Sequence, residues 1–200
     1  MTVMSRCAAS ISWRRSVADL YVALSDGALR LEPINELHRE PLRAACAEDQ
    51  AIWTVYPFSY LGDAFNPQFD LMLRDDRPRK CYVIFDGDEL VGMTAWIDHG
   101  APDYSIEIGN TYVVPRLRGT GFNTRLKRLM LDHAFAQGLK RVAFKVDSIN
   151  ERSQAAVLKL GCTREGLMRA ERVTWTGRIR HTVLFSILAD EWRAQSAISP

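Results

Sequence analysis

Cysteine is scarce and poorly placed for chemistry. Cys7, Cys46, Cys81 and Cys162 are the only four in 200 residues, and their spacings suit neither a zinc site nor a Cys-x-x-Cys redox pair. Incidental thiols in a reducing compartment follow, which points to the cytoplasm and to no metal cofactor. No apolar run approaches the ~18–20 residues that would span a bilayer, so no membrane partner is expected. An excess of one charge is missing too: Lys+Arg 26 against Asp+Glu 24 leaves a formal +2, too balanced to argue for a nucleic-acid surface. Basic residues cluster in 116–128 and 164–180, but neither stretch carries the interleaved aromatics on which bases stack, so no nucleic-acid partner is expected. There is no Gly-x-x-x-x-Gly-Lys-Ser/Thr loop, no internal repeat and no low-complexity tract. What remains is a chain with 47% hydrophobic residues, long enough to bury a sizeable core and of the size of one domain, or one domain with a tail.

The informative run is Pro115-Arg-Leu-Arg-Gly-Thr-Gly-Phe-Asn-Thr124. Before it, Tyr104 to Val114 alternates apolar and polar residues and ends in β-branched and aromatic ones, so it reads as a strand. After it, Leu126, Leu129, Met130 and Ala134 recur at helical spacing, with Arg125, Lys127, Arg128 and Asp132 between them on what reads as a solvated face. The run is a strand-to-helix turn. Gly119 and Gly121 allow positive φ there and remove the Cβ atoms that would hold a ligand off the main chain. The new helix leaves its first N–H groups without intrahelical partners and sets the positive end of its dipole at the same place, which suits an anion such as phosphate. A dinucleotide fingerprint would need a third glycine where Thr124 stands.

The rest of the chain supplies a mixed set of elements. Residues 1–26 form an N-terminal extension, with Arg6, Arg14 and Arg15 and no acidic residue through Val17, the bias of a transit peptide without the apolar core of a secretory signal. It is flexible or packs as an added helix through Val17, Leu20, Tyr21 and Leu24. Ala28–Pro33 reads as an edge-type strand and Glu36–Asp49 as a helix with Pro41 in its first turn. Trp53 to Phe69 is dense in aromatics that form core or line a cleft. Phe69–Leu73 reads as a short helix. Cys81–Phe85 and Leu90–Ile97 are strands joined by an Asp-Gly turn, and 100–103 is a second turn into the Tyr104 strand. Arg141–Asp147 is a strand, Asn150–Gly161 a helix capped by Asn150, and Arg164–Leu188 two strands around Trp175–Arg178. Mostly antiparallel pairing with one βαβ-like centre makes the class α+β.

Arg116-x-x-Gly119-x-Gly121, read with Asn150-Glu-Arg-Ser153, Ala155-Ala156 and Lys159-Leu-Gly161, resembles the GNAT superfamily of N-acetyltransferases over about residues 28–192. The continuation Phe122-Asn123-Thr124 resembles the branch that acetylates the N-termini of ribosomal proteins. The resemblance implies the GNAT fold: a mixed, mostly antiparallel sheet of about seven strands flanked by helices and splayed at its centre, with the domain over 27–193 and a tail at 194–200. It further implies acetyl-CoA as cosubstrate and a primary amine, on a protein N-terminus or a small molecule, as acceptor. The family's grip on acetyl-CoA maps onto backbone N–H groups from Leu117 through Gly119, Thr120 and Gly121 to Thr124, with Arg116 and Arg118 near the phosphates. Amides around Tyr112, Val113 and Val114 then face the thioester carbonyl.

Two groups are candidates for the proton transfers. Glu107 lies mid-strand between Ile106 and Ile108; buried there it serves as general base, whereas facing solvent it is only the polar member of the alternation. The family often has a tyrosine acid in the helix after the fifth strand, and this chain has none between Asp147 and Gly161. Ser153 stands where the ribosomal-protein branch has a serine that can meet the thiolate, or it satisfies the helix start. Asn150 contacts the pantetheine arm, caps the helix, or does both. His38, His99, His133 and His181 have no partners at ligand spacing, and Cys162 reads as a small hydrophobe. A rival on the same fold is a non-catalytic CoA-binding regulator. Aromatics in 53–69 or the C-terminal hairpin are the candidate faces for a homodimer.

Overall fold

The computed structural model describes residues 20–76, 78–97 and 104–198. Its strands are β1 (Leu24–Asp26), β2 (Leu29–Pro33), β3 (Arg79–Asp86), β4 (Glu89–Ile97), β5 (Ser105–Val113), β6 (Arg141–Asp147), β7 (Thr163–Val173) and β8 (Ile179–Leu188). The helices are α1 (Arg39–Ala47), α2 (Phe65–Leu73), α3 (Phe122–Ala136), α4 (Glu151–Leu158) and α5 (Ala189–Ile198), with single 3₁₀ turns between some of them. All eight strands join one sheet in the order β1-β2-β3-β4-β5-β6-β8-β7. Every pair is antiparallel except β5–β6. The α+β class and the mixed, splayed sheet are therefore as expected, with eight strands where about seven were anticipated.

The parallel pair positions the site. β5 and β6 are in register only at Ser105–Arg141, Ile106–Val142 and Glu107–Ala143, and past Glu107 and Ala143 the strands part. On its other side β5 stays paired with β4 as far as Val113, but through a bulge: Ala95 faces Gly109 while Met93 faces Tyr112. Asn110 takes up the extra residue at φ 51°, a conformation that asparagine tolerates better than most side chains. Its amide is held by the Tyr60 hydroxyl, which donates to Asn110 Oδ1 at 2.9 Å.

Successive residues on β5 point to opposite faces. Tyr112 faces α1, where its hydroxyl donates to the Ala45 carbonyl at 2.8 Å and its ring stacks on Trp53 at 4.8 Å. Thr111 faces α3. Trp53, Tyr60, Phe65 and Phe69 are buried, so most aromatics of 53–69 are core and do not supply an exposed dimer face; Tyr56 lines the cleft described below. In the C-terminal hairpin, by contrast, Val173, Trp175 and Ile179 are exposed.

Several boundaries differ from expectation for identifiable reasons. Leu24 belongs to strand β1, not to an added N-terminal helix, because Leu24–Asp26 pairs with Leu29–Leu31; the same pairing covers β2, so β2 is not an edge. The earlier part of that extension, Cys7 and the turn at 100–103 lie outside the described residues. Helix α2 begins at Phe65 rather than Phe69, since Pro67 sits in its first turn, where a missing N–H costs nothing. Helix α5 runs across the expected boundary between domain and tail at 193. The largest departure is Lys127, expected on a solvated face but buried. It lies three and four residues before the buried Met130 and Leu131, on the apolar stripe of α3.

Candidate active site

The divergence of β5 and β6 opens a cleft of about 580 Å³. It brings together Glu107, Tyr112, Val113, Arg118, Gly119, Gly121, Asn123, Thr124, Asn150 and Ser153 from the expected set. Val114, Arg116, Leu117, Thr120 and Phe122 do not line it. Val114 is bonded to β4 through its N–H to the Val91 carbonyl; Phe122 is buried and Leu117 packs against the core; the Thr120 hydroxyl turns back to the Leu117 carbonyl at 2.8 Å.

The loop presents main chain rather than charge. Gly119 and Gly121 adopt φ 79° and 90°, and a Cβ built on either would meet nothing within 4 Å. The N–H groups of Leu117, Arg118 and Phe122 bond within the loop, to Val114 O, Pro115 O and Thr120 Oγ1. Among the described residues no acceptor meets the N–H groups of Gly119, Thr120, Gly121, Asn123 and Thr124. These five donors lie at the positive end of a 15-residue helix, where open N–H groups and the helix dipole suit an anion.

The two arginines take different partners. Arg116 turns away to the β3–β4 hairpin, where it pairs with Glu89 at 2.7 Å and reaches Asp86 at 4.0 Å. Arg118 folds under the loop. Its Nε donates to the Val113 carbonyl at 2.8 Å, its Nη1 pairs with Asp49, and its guanidinium lies over the Tyr112 ring. The Arg118 guanidinium in turn holds the Asp49 carboxyl below its ordinary range. Carboxylates on neighbouring elements thus engage both side chains. Among the described residues two buried atoms at the cleft have no partner, Arg118 Nη2 and Asn123 Oδ1; such orphans cost about 1–3 kcal/mol each unless a ligand or water meets them. Open amides, orphaned polar atoms and a splayed strand pair all fit a diphosphate attached to an extended arm.

At the splay, the Val114 amide bonds to β4, so alternation turns the Val113 peptide toward the gap. Its carbonyl is taken by Arg118, and its N–H faces the space that β6 has vacated. The Tyr112 amide points the other way.

Glu107 is buried, which removes the solvent-facing alternative. Its surroundings are not purely apolar, however: Lys145 Nζ lies 3.3 Å from Oε2. Asn150 Oδ1 accepts from the Ser153 N–H at 3.1 Å, so the helix start is satisfied by Asn150 and the Ser153 hydroxyl is not the cap. Of the histidines, His38 accepts from the Asn35 amide, His133 contacts the Leu20 carbonyl and His181 accepts from the Ala170 amide; His99 lies outside the described residues. Burial pushes the Cys162 thiol up to about 12, which suits a packing role. Among the described residues no cluster of His, Cys, Asp or Glu could hold a metal ion, and no helix is long and apolar enough to cross a membrane.

Sequence reasoning missed the far wall. Asp147, Arg180 and Thr182 are buried on β6 and β8; Asp147 pairs with Arg178 and lies 3.8 Å from Arg180. Glu171 pairs with Arg172 at 2.6 Å and accepts from the Thr182 hydroxyl. Lys145, Glu171, Arg172 and Arg180 all line the cleft. The readable signal was the alternation of β6, which puts Lys145 and Asp147 on the same face as Ala143, the partner of Glu107.

Residues 37–162 match the family described as Acetyltransferase (GNAT) family, and the chain belongs to it. A probable GNAT-family acetyltransferase from Chromobacterium violaceum ATCC 12472 superposes with a TM-score of 0.80 at 27% identity, over 96% of this chain and 99% of that one. Spermidine N-acetyltransferase from Vibrio cholerae, solved with CoA and spermine, shares the fold at a TM-score of 0.67 and 18% identity, over 84% and 99%. Mycothiol acetyltransferase of Corynebacterium efficiens is 39% identical over 83 residues, 40% of this chain. The chain spans about a quarter of the length of that relative, 26%.

Proposed function

We propose that the protein moves the acetyl group of acetyl-CoA to a primary amine by direct attack. The observation that carries this reading is the set of five unbonded N–H groups from Gly119 to Thr124 at the mouth of the β5–β6 splay. Those amides hold the diphosphate, and the Val113 N–H donates to the thioester oxygen. Glu107, directly or through a water, takes the proton from the amine as nitrogen bonds to the acetyl carbon. The C–S bond breaks, and the departing thiolate takes a proton from the Ser153 hydroxyl, which bulk water then restores. Asn150 fixes the first turn of α4 so that Ser153 faces the cleft. No covalent enzyme intermediate is required, because holding both substrates together supplies much of the acceleration.

The acceptor is either a protein N-terminus, favoured by the likeness of Phe122-Asn123-Thr124 to the ribosomal-protein branch, or a small amine, as in the spermidine enzyme that shares the fold. The test is release of free thiol from acetyl-CoA in the presence of peptide N-termini, polyamines, amino acids and aminoglycosides. Release with one class and not the others identifies the acceptor. Binding of acetyl-CoA by calorimetry with no release across all four classes sinks catalysis and leaves the CoA-binding regulator.

A further inference from the structure

Lys127 is the one buried lysine among the described residues, and the steps above make no use of it. It is 5% exposed. Its Nζ donates to Thr111 Oγ1 and lies 3.4 Å from Thr94 Oγ1; the two threonine hydroxyls bond each other at 2.8 Å. Among the described residues no carboxylate pairs with it, and burial lowers its amine to about 7. A buried amine without a counter-ion costs stability, and a methionine of similar length would fill the same space without that cost. Its presence therefore calls for a gain elsewhere.

The two ends of the contact show where that gain falls. Lys127 stands on α3, one turn beyond Asn123, on the helix whose first N–H groups form the anion site. Thr111 stands in the bulge of β5, between Asn110 and Tyr112, two residues before Val113. The Thr111 carbonyl is itself held by the Tyr56 hydroxyl. We infer that Lys127 is a positioning residue that bridges α3 to the bulge of β5 and so sets the spacing between the diphosphate-binding amides and the Val113 N–H. The inference rests on the acetyl-CoA reading. A ligand held at two points gains from the second contact only when the two are correctly spaced.

The test compares a ligand that reaches both points with one that reaches the first alone. Lys127→Met, Thr111→Val and the double variant are titrated by calorimetry with acetyl-CoA and with 3′-phosphoadenosine 5′-diphosphate, which carries the diphosphate and no thioester. Acetyl-CoA affinity should fall roughly tenfold in each single variant and no further in the double one, the mark of two residues acting through one contact. The nucleotide should bind all variants as it binds the unchanged protein, and Lys127→Met should melt no lower. Unchanged acetyl-CoA affinity, a parallel loss for both ligands, or a double variant at the product of the single losses overturns the proposal. Failure of the unchanged protein to bind acetyl-CoA overturns the underlying reading as well, and is read separately from the variants.

Discussion

The two walls of the cleft present different kinds of group. The wall formed by the loop and the start of α3 offers main-chain N–H groups, and its arginine, Arg118, is engaged by the carboxylate of Asp49. The wall formed by β6, β7 and β8 offers side chains only: Lys145 beside Glu107, Arg178 and Arg180 about Asp147, and Arg172 beside Glu171. A backbone site needs only residues that stay out of its way, so its identity lies in glycine spacing. A side-chain site needs partners on neighbouring strands to hold each charge, so its identity lies in strand register. The first wall should consequently fail through local geometry and the second through loss of charge pairing.

Four experiments sharpen that contrast. Glu107→Gln removes the proposed base while keeping size and polarity, so turnover should fall about 10²–10⁴-fold; acetyl-CoA affinity by calorimetry should not change, because the loop wall is untouched. An equal loss of both would join the walls into one unit. Asp147→Asn removes the buried carboxylate that pairs with Arg178 and lies 3.8 Å from Arg180, and unfolding in denaturant should show a loss of about 3 kcal/mol. If stability holds, the ion pairs of the second wall are not what keeps it in shape. Gly119→Val places a β-branched residue at φ 79° and a side chain in the space the anion needs. Acetyl-CoA affinity should drop by a factor of tens, about 2 kcal/mol, with the melting temperature lowered only modestly.

The smallest effect concerns the arginine beneath the loop. Because Arg118 lowers the Asp49 carboxyl in the folded protein, the folded state binds fewer protons than the unfolded chain in the acid range. The stability from this pair is therefore present above the ordinary carboxylate value and is lost as pH falls through the lowered one. The contribution is about 1 kcal/mol for a partly exposed pair. Asp49→Asn should remove that part of the acid limb in a pH series of melting curves; an unchanged limb would mean that Arg118 is held by the Val113 carbonyl and the Tyr112 ring alone.

Legibility followed the same division. The strand before the loop, the glycine pair, the helix after it and the Asn150 cap were all readable, since each is written in a few contiguous residues. The partners of Arg116, Glu89 and Asp86, were not readable because they lie about 30 residues away across the β4–β5 pairing. Lys127 was misplaced because its charge masked its position: spacing from Met130 and Leu131 puts it on the buried stripe, and only the facing threonines of β4 and β5 make burial tolerable.

By itself the order of residues determined most of the elements, the family and the glycine-bearing turn, because helix periodicity, strand alternation and glycine's tolerance of positive φ act over a few residues. Only the assembled sheet decided which charges line the cleft, where β5 leaves β6 and which amide faces the gap. Those depend on register between strands far apart in the chain, and a one-residue shift would turn each of those side chains to the opposite face.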